Sequence, residues 1–114
     1  MLRLKKVFSY FDLIYNFVDH ITERYGEEEV KKWFFEVWNE PNHASGVNTP
    51  KMYADLLIMT GDIIRKYDPQ AKIIGFSLAG TGYDRVVGYV DQAMKILADA
   101  GKIDLIDYVG FHEY

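Results

Sequence analysis

Trp33-Phe34-Phe35-Glu36-Val37-Trp38-Asn39-Glu40-Pro41-Asn42 is a short run of mostly apolar residues that stops abruptly in Asn-Glu-Pro-Asn. An aromatic-rich run of this length predicts a strand, Trp33–Trp38, buried on both faces as in a parallel sheet. Ligands in such folds collect at the carboxyl ends of the strands, which is where Asn39 and Glu40 fall. Pro41 disfavours the right-handed helical region for the residue before it, so Glu40 is expected to be extended at the strand tip. A carboxyl group among Trp and Phe side chains is expected to be desolvated and its pKa raised, as suits a general acid near neutral pH.

Upstream, Phe11, Ile14, Tyr15, Val18, Ile21 and Tyr25 recur at helical spacing and predict a helix over Phe8–Tyr25, stopped by Gly26. Glu27–Lys32 read as a polar connector. Downstream, Asn42–Val47 is a loop, Thr49 offers an N-cap and Pro50 the first helical position. Tyr53, Leu56, Leu57, Ile63, Ile64 and Tyr67 continue a helical stripe to Asp68-Pro69. Lys72–Ser77 reads as a second buried strand. A third helix is expected over Asp84–Ala100, with Val86, Val87, Val90, Ala93, Met94 and Leu97 inward and Gly101 closing it. Ile106–His112 reads as a third strand. Helix and strand alternating at this spacing means an α/β fold with parallel strands joined by crossovers.

The 114 residues amount to one domain at most. Seventeen acidic against 13 basic residues, net charge −4, argue against nucleic acid and anionic membrane as partners. The chain has no cysteine, so neither a disulfide nor a thiolate metal site is possible. His20, His43 and His112 lack ligand spacing, so no metal is expected, and no cofactor. Lys5, Lys6, Ser9 and Asp12 interrupt any signal-peptide core and no segment is long enough to span a membrane, giving a cytoplasmic expectation for the chain as read. Aromatic residues make up 16%; they suit stacking on sugar rings, but filling a core is the plainer use.

Arg24-Tyr25-Gly26 followed by Trp33 to Asn42 resembles the fourth-strand signature of clan A retaining glycoside hydrolases, and specifically glycoside hydrolase family 39, which holds β-xylosidases and α-iduronidases. The resemblance implies a portion of a TIM (β/α)8 barrel, residues 1–114 running from its third helix through its sixth strand, since a whole barrel takes about 250 residues. It implies that Glu40 is the catalytic acid/base and that Asn39 hydrogen-bonds the sugar 2-hydroxyl. His112 and Tyr114, two apart at the third strand's end, resemble the His-x-Tyr of the sixth barrel strand, whose Tyr meets nucleophile and sugar. The Gly-Gly-Pro that often ends the preceding strand in the family is here Gly75-Phe76-Ser77.

Each residue also has a plainer reading. For Glu40 that reading is a solvent-exposed carboxylate at a loop start; for Asn39 and His43 it is ordinary turn chemistry; for His112 it is a satisfied core histidine. Glu36 shares strand parity with Glu40 and is expected to be a buried, paired structural carboxylate. Gly80-Thr81-Gly82 resembles a phosphate loop only weakly, because Arg85 replaces the third glycine.

A retaining glycosidase needs a second carboxylate about 5–5.5 Å from the first, which the resemblance assigns to a Glu on the seventh strand. The reading is therefore a fragment of a β-xylosidase-like hydrolase for a xyloside-like carbohydrate, carrying the acid/base, lacking the nucleophile strand and inactive alone. Self-association or pairing with missing barrel segments is expected, with neither nucleic acid nor membrane as partner. The alternatives are a free-standing flavodoxin-like domain for a small ligand and a non-catalytic, self-associating fragment.

Overall fold

A computed structural model of the chain describes residues 9–43, 48–80 and 82–112. Their order is α1 (Tyr10–Tyr25), α2 (Glu27–Val30), β1 (Phe34–Glu36), α3 (Pro50–Tyr67), β2 (Lys72–Ala79), α4 (Tyr83–Asp99), a 3-10 turn (Ile103–Leu105) and β3 (Tyr108–His112). The strands form one parallel sheet in the order β1-β2-β3. This is the α/β alternation with parallel strands expected from the sequence. Among the described residues no helix is long and apolar enough to cross a membrane.

Local chemistry sets the helix ends. Ser9 caps α1 in a reciprocal box: its Oγ accepts from the Asp12 N–H at 3.1 Å, and Asp12 Oδ2 accepts from the Ser9 N–H at 3.3 Å. Gly26 ends α1 with φ +90°, a conformation that costs glycine little. Thr49 caps α3, with Pro50 in its first turn. The stretch after Gly26 is not the plain connector expected. Three glutamates at its start favour a helix N-terminus, and α2 makes one turn there.

Tyr53, Ala54, Leu57, Ile64, Ile73, Phe76, Leu78, Ala93 and Leu97 fill a core between the sheet and helices α3 and α4. Tyr89, absent from the expected inward stripe of α4, is buried, whereas Val87 is exposed. On α1 only Val18 and Ile21 are buried; Phe11, Tyr15 and Tyr25 stay exposed and pack on one another and on neighbouring rings. Among the described residues this helix is covered chiefly by α3, so half of its predicted stripe keeps only partial cover from neighbouring rings.

The expected burial of β1 on both faces is also corrected. It is an edge strand of three residues, and Phe34 and Trp38 remain 48% and 47% exposed. Parallel strands become two-sidedly buried only when neighbours and helices cover them. At the opposite edge β3 leaves Tyr108 and Phe111 exposed.

Candidate active site

The carboxyl ends of the strands are held in unusual backbone. Trp38, Glu40, Phe76 and Ser77, none of them glycine, have φ of 68°, 48°, 77° and 44°. Glu40 is thus left-handed and not extended. Pro41 rules out only the right-handed helical region, and tertiary bonds choose among the rest: the Glu40 N–H donates to Ser77 O at 3.1 Å, and Glu40 O accepts from the His43 N–H at 2.9 Å. Pro41 itself is fully buried. Strained residues of this kind persist when their surroundings over-determine them, and they gather at functional sites.

A bulge in β2 supplies the second half of the site. The register with β3 slips between Phe76 and Leu78. The Tyr53 hydroxyl enters where the ladder opens, donating to Val37 O at 2.9 Å and accepting from the Phe76 N–H at 2.7 Å. Burial raises the Tyr53 phenol well above its ordinary value and pushes Tyr89, whose ring centroid lies 6.3 Å away, up to about 12. Asn42 acts as a short piece of strand beside β2, its side chain bonding both the N–H and the C=O of Ala79 at 3.0 and 3.2 Å.

The functional side chains meet above this scaffold. Glu40 Oε2 lies 2.7 Å from His112 Nδ1, joining the loop after β1 to the end of β3 across 72 residues of chain. His112 Nε2 lies 3.9 Å from Glu36 Oε1. Glu36 Oε1 also accepts a hydrogen bond from the Ser77 hydroxyl. Gly110 leaves room for this bond, since a Cβ there would stand 2.6 Å from Ser77 Oγ.

The structure thus brings together two of the four candidates, Glu40 and His112. The carboxylate of Glu40 is half-buried, and the imidazole of His112 is one of its partners. Asn39 is exposed on the same turn. Tyr114 lies outside the described residues. Glu36 is paired as expected but half-exposed. Ser77, Gly110, Tyr53 and Asn42 were not expected at the site. Of these only Asn42 carried a sequence signal, as an Asn closing the motif. Ser77 depends on a bulge, which no local pattern announces.

Known proteins resemble this chain in sequence and in fold. The model of glycosyl hydrolases family 39 matches residues 3–114. A β-xylosidase from Geobacillus stearothermophilus is 31% identical over 105 residues, and one from Caldicellulosiruptor saccharolyticus is 30% identical over 104; each alignment covers 90% of this chain. Among solved structures, a family 39 β-xylosidase from Caulobacter crescentus superimposes with a TM-score of 0.74 at 35% identity, covering 91% of this chain and 22% of that one. The family 39 enzyme from Xanthomonas axonopodis pv. citri gives 0.69 at 36% identity, covering 91% and 19%. The chain spans about a fifth of the length of the curated relatives it matches. Nearly all of the sequence, together with its three-stranded piece of barrel, places this chain in glycosyl hydrolases family 39.

Proposed function

We propose that this chain is the part of a retaining, β-xylosidase-like glycoside hydrolase that carries the acid/base carboxylate, Glu40. In barrel terms it runs from the third helix through the sixth strand. The observation that carries the reading is the Glu40–His112 contact, 2.7 Å long, at the carboxyl ends of two strands. A proton held between a carboxylate and an imidazole is available to an oxygen at the strand tips. Asn39, on the same turn, is assigned the sugar 2-hydroxyl, and His112 and Tyr114 the rest of a xyloside-like substrate.

In the first step Glu40 protonates the leaving oxygen while a second carboxylate, on a strand outside these 114 residues, attacks the anomeric carbon. In the second step the Glu40 carboxylate takes a proton from water, which then displaces the enzyme from the sugar. The test is Glu40→Ala in a protein that supplies the remaining strands. A substrate with a good leaving group needs little protonation, so its first step survives and the glycosyl-enzyme accumulates. Azide needs no base and restores turnover, giving a glycosyl azide of retained configuration. No rescue, or an inverted product, removes Glu40 from this role.

The 114-residue chain alone is expected to be inactive on nitrophenyl xyloside and to self-associate. Support comes from the two sheet edges at β1 and β3 and the exposed Phe34, Trp38 and Phe111 beside them, because open edges and apolar patches template association. Light scattering that shows a monodisperse monomer contradicts this.

A further inference from the structure

The acid/base reading uses one carboxylate of the cluster, whereas His112 faces two. Its Nδ1 meets Glu40 Oε2 at 2.7 Å, and its Nε2 faces Glu36 Oε1 at 3.9 Å. Building on the assignment of Glu40 as acid/base, we infer that Glu36, held by Ser77, is a positioning residue that keeps a proton on Nε2 of His112 and leaves Nδ1 to exchange its proton with Glu40.

The reasoning is electrostatic. A neutral imidazole carries one N–H and one lone pair. The negative charge of Glu36 on the Nε2 side favours the N–H there; the other tautomer would aim a lone pair at a carboxylate. No direct hydrogen bond is required, since charge and dipole interact at this distance even where solvent screens them in part. With Nε2 protonated, Nδ1 is a lone pair that can accept the O–H of a protonated Glu40. When the imidazole is charged, the same nitrogen donates to the Glu40 carboxylate. The proton therefore moves along one bond while the ring stays fixed.

Ser77 holds both ends of this arrangement. Its hydroxyl donates to Glu36 Oε1, and its carbonyl accepts the N–H of Glu40. The left-handed φ of 44° at Ser77 lies at the bulge beside Phe76, and the missing side chain at Gly110 leaves the Ser77 hydroxyl its space. Glu36 and Glu40 come from one sequence run, but only the bulged strand between β1 and β3 aligns them on one imidazole.

The tautomer is measurable on the 114-residue chain by nitrogen-15 NMR of the histidine side chains, with His112 assigned by its disappearance in His112→Asn. The expected result is an Nε2-protonated ring in the native sequence. Glu36→Gln should move it to a mixture or to the Nδ1-protonated form, and Ser77→Ala should move it part of the way. An Nδ1-protonated ring in the native sequence, or nitrogen shifts unchanged in Glu36→Gln, overturns the inference. Where association broadens these signals, the kinetic arm decides in a protein that supplies the remaining strands. There Glu36→Gln should lower kcat roughly tenfold at unchanged KM, within the range of a charge interaction at about 4 Å near a protein surface. Glu36→Asp should recover part of the loss. A KM effect alone, or no recovery with Asp, counts against a positioning role. Failure of azide rescue in Glu40→Ala with the tautomer result intact would discard the acid/base assignment and leave the Glu36–His112 coupling standing.

Discussion

The two ends of this small sheet use similar residue types for opposite purposes. At the amino ends of β2 and β3, Arg65 donates to Ala71 O at 2.9 Å, to Asp104 O at 3.2 Å and to Asp107 Oδ2 at 2.8 Å. Asp107 Oδ2 in turn accepts the Ile73 N–H at 2.9 Å. Opposite charges meet, and backbone groups that the strand starts leave over are satisfied. At the carboxyl ends two carboxylates converge on one imidazole, and all four left-handed non-glycine residues among the described residues lie there. One end pairs opposite charges, and the other holds left-handed backbone and two carboxylates around one imidazole. This is the division expected of a barrel, whose chemistry sits at the carboxyl ends of its strands.

The sharpest way to break the comparison is to mutate each end and read both stability and turnover. In a protein that supplies the remaining strands, Glu40→Gly should cost about 10²–10⁴-fold in kcat on substrates with poor leaving groups. Unfolding free energy should stay within about 1 kcal/mol of the native value, because the lost His112 contact is offset by relief of the left-handed backbone. A fall of several kcal/mol in a urea titration would make Glu40 a structural residue.

Tyr53→Phe should have the largest effect on stability. It strips the bridge between Val37 O and the Phe76 N–H from a site that is 0% exposed, and should cost about 1–3 kcal/mol for the two orphaned groups. Burial raises both Tyr53 and Tyr89, so the folded state keeps its phenols protonated while the unfolded chain ionises from the ordinary value of 10.0. Their contribution is therefore fully present below pH 10 and is lost as pH rises toward about 12. Alkaline unfolding should be shallower in Tyr53→Phe than in the native sequence; an identical slope would contradict the burial of that hydroxyl.

Arg65→Met is expected to cost about 1–2 kcal/mol, since it removes bonds to two carbonyls and a half-exposed carboxylate. It should leave kcat unchanged, and a selective loss of turnover would erase the distinction between the two ends. The smallest effect is expected for Lys95→Ala, which breaks an exposed pair with Asp99 on α4. It should change stability by less than about 0.5 kcal/mol and serves as the baseline for the others in the same titration.

Much of this was legible in the chain itself. The alternation of α1, β1, α3, β2, α4 and β3 follows from apolar spacing, and the helix ends at Gly26 and at Thr49-Pro50 follow from residues that stop or cap a helix, whereas the Ser9 cap, one residue inside the expected start at Phe8, was not read. Asn39 and Glu40 were marked by an apolar run breaking into Asn-Glu-Pro, and the same run carried the family. These signals are local, so a sequence records them directly. Tertiary structure alone decided that Glu40 turns left-handed, because the Ser77 carbonyl captures its N–H across the sheet. It alone decided which nitrogen of His112 faces which carboxylate, and that a bulge at Phe76 and Ser77 would be bridged by Tyr53 from a helix 23 residues earlier. Those features arise from bonds between segments far apart in the chain, where no residue's own preference reveals its partner. The exposed halves of α1 and β1 carry the same lesson in reverse: their apolar patterns specify faces to be covered, and packing determines what covers them.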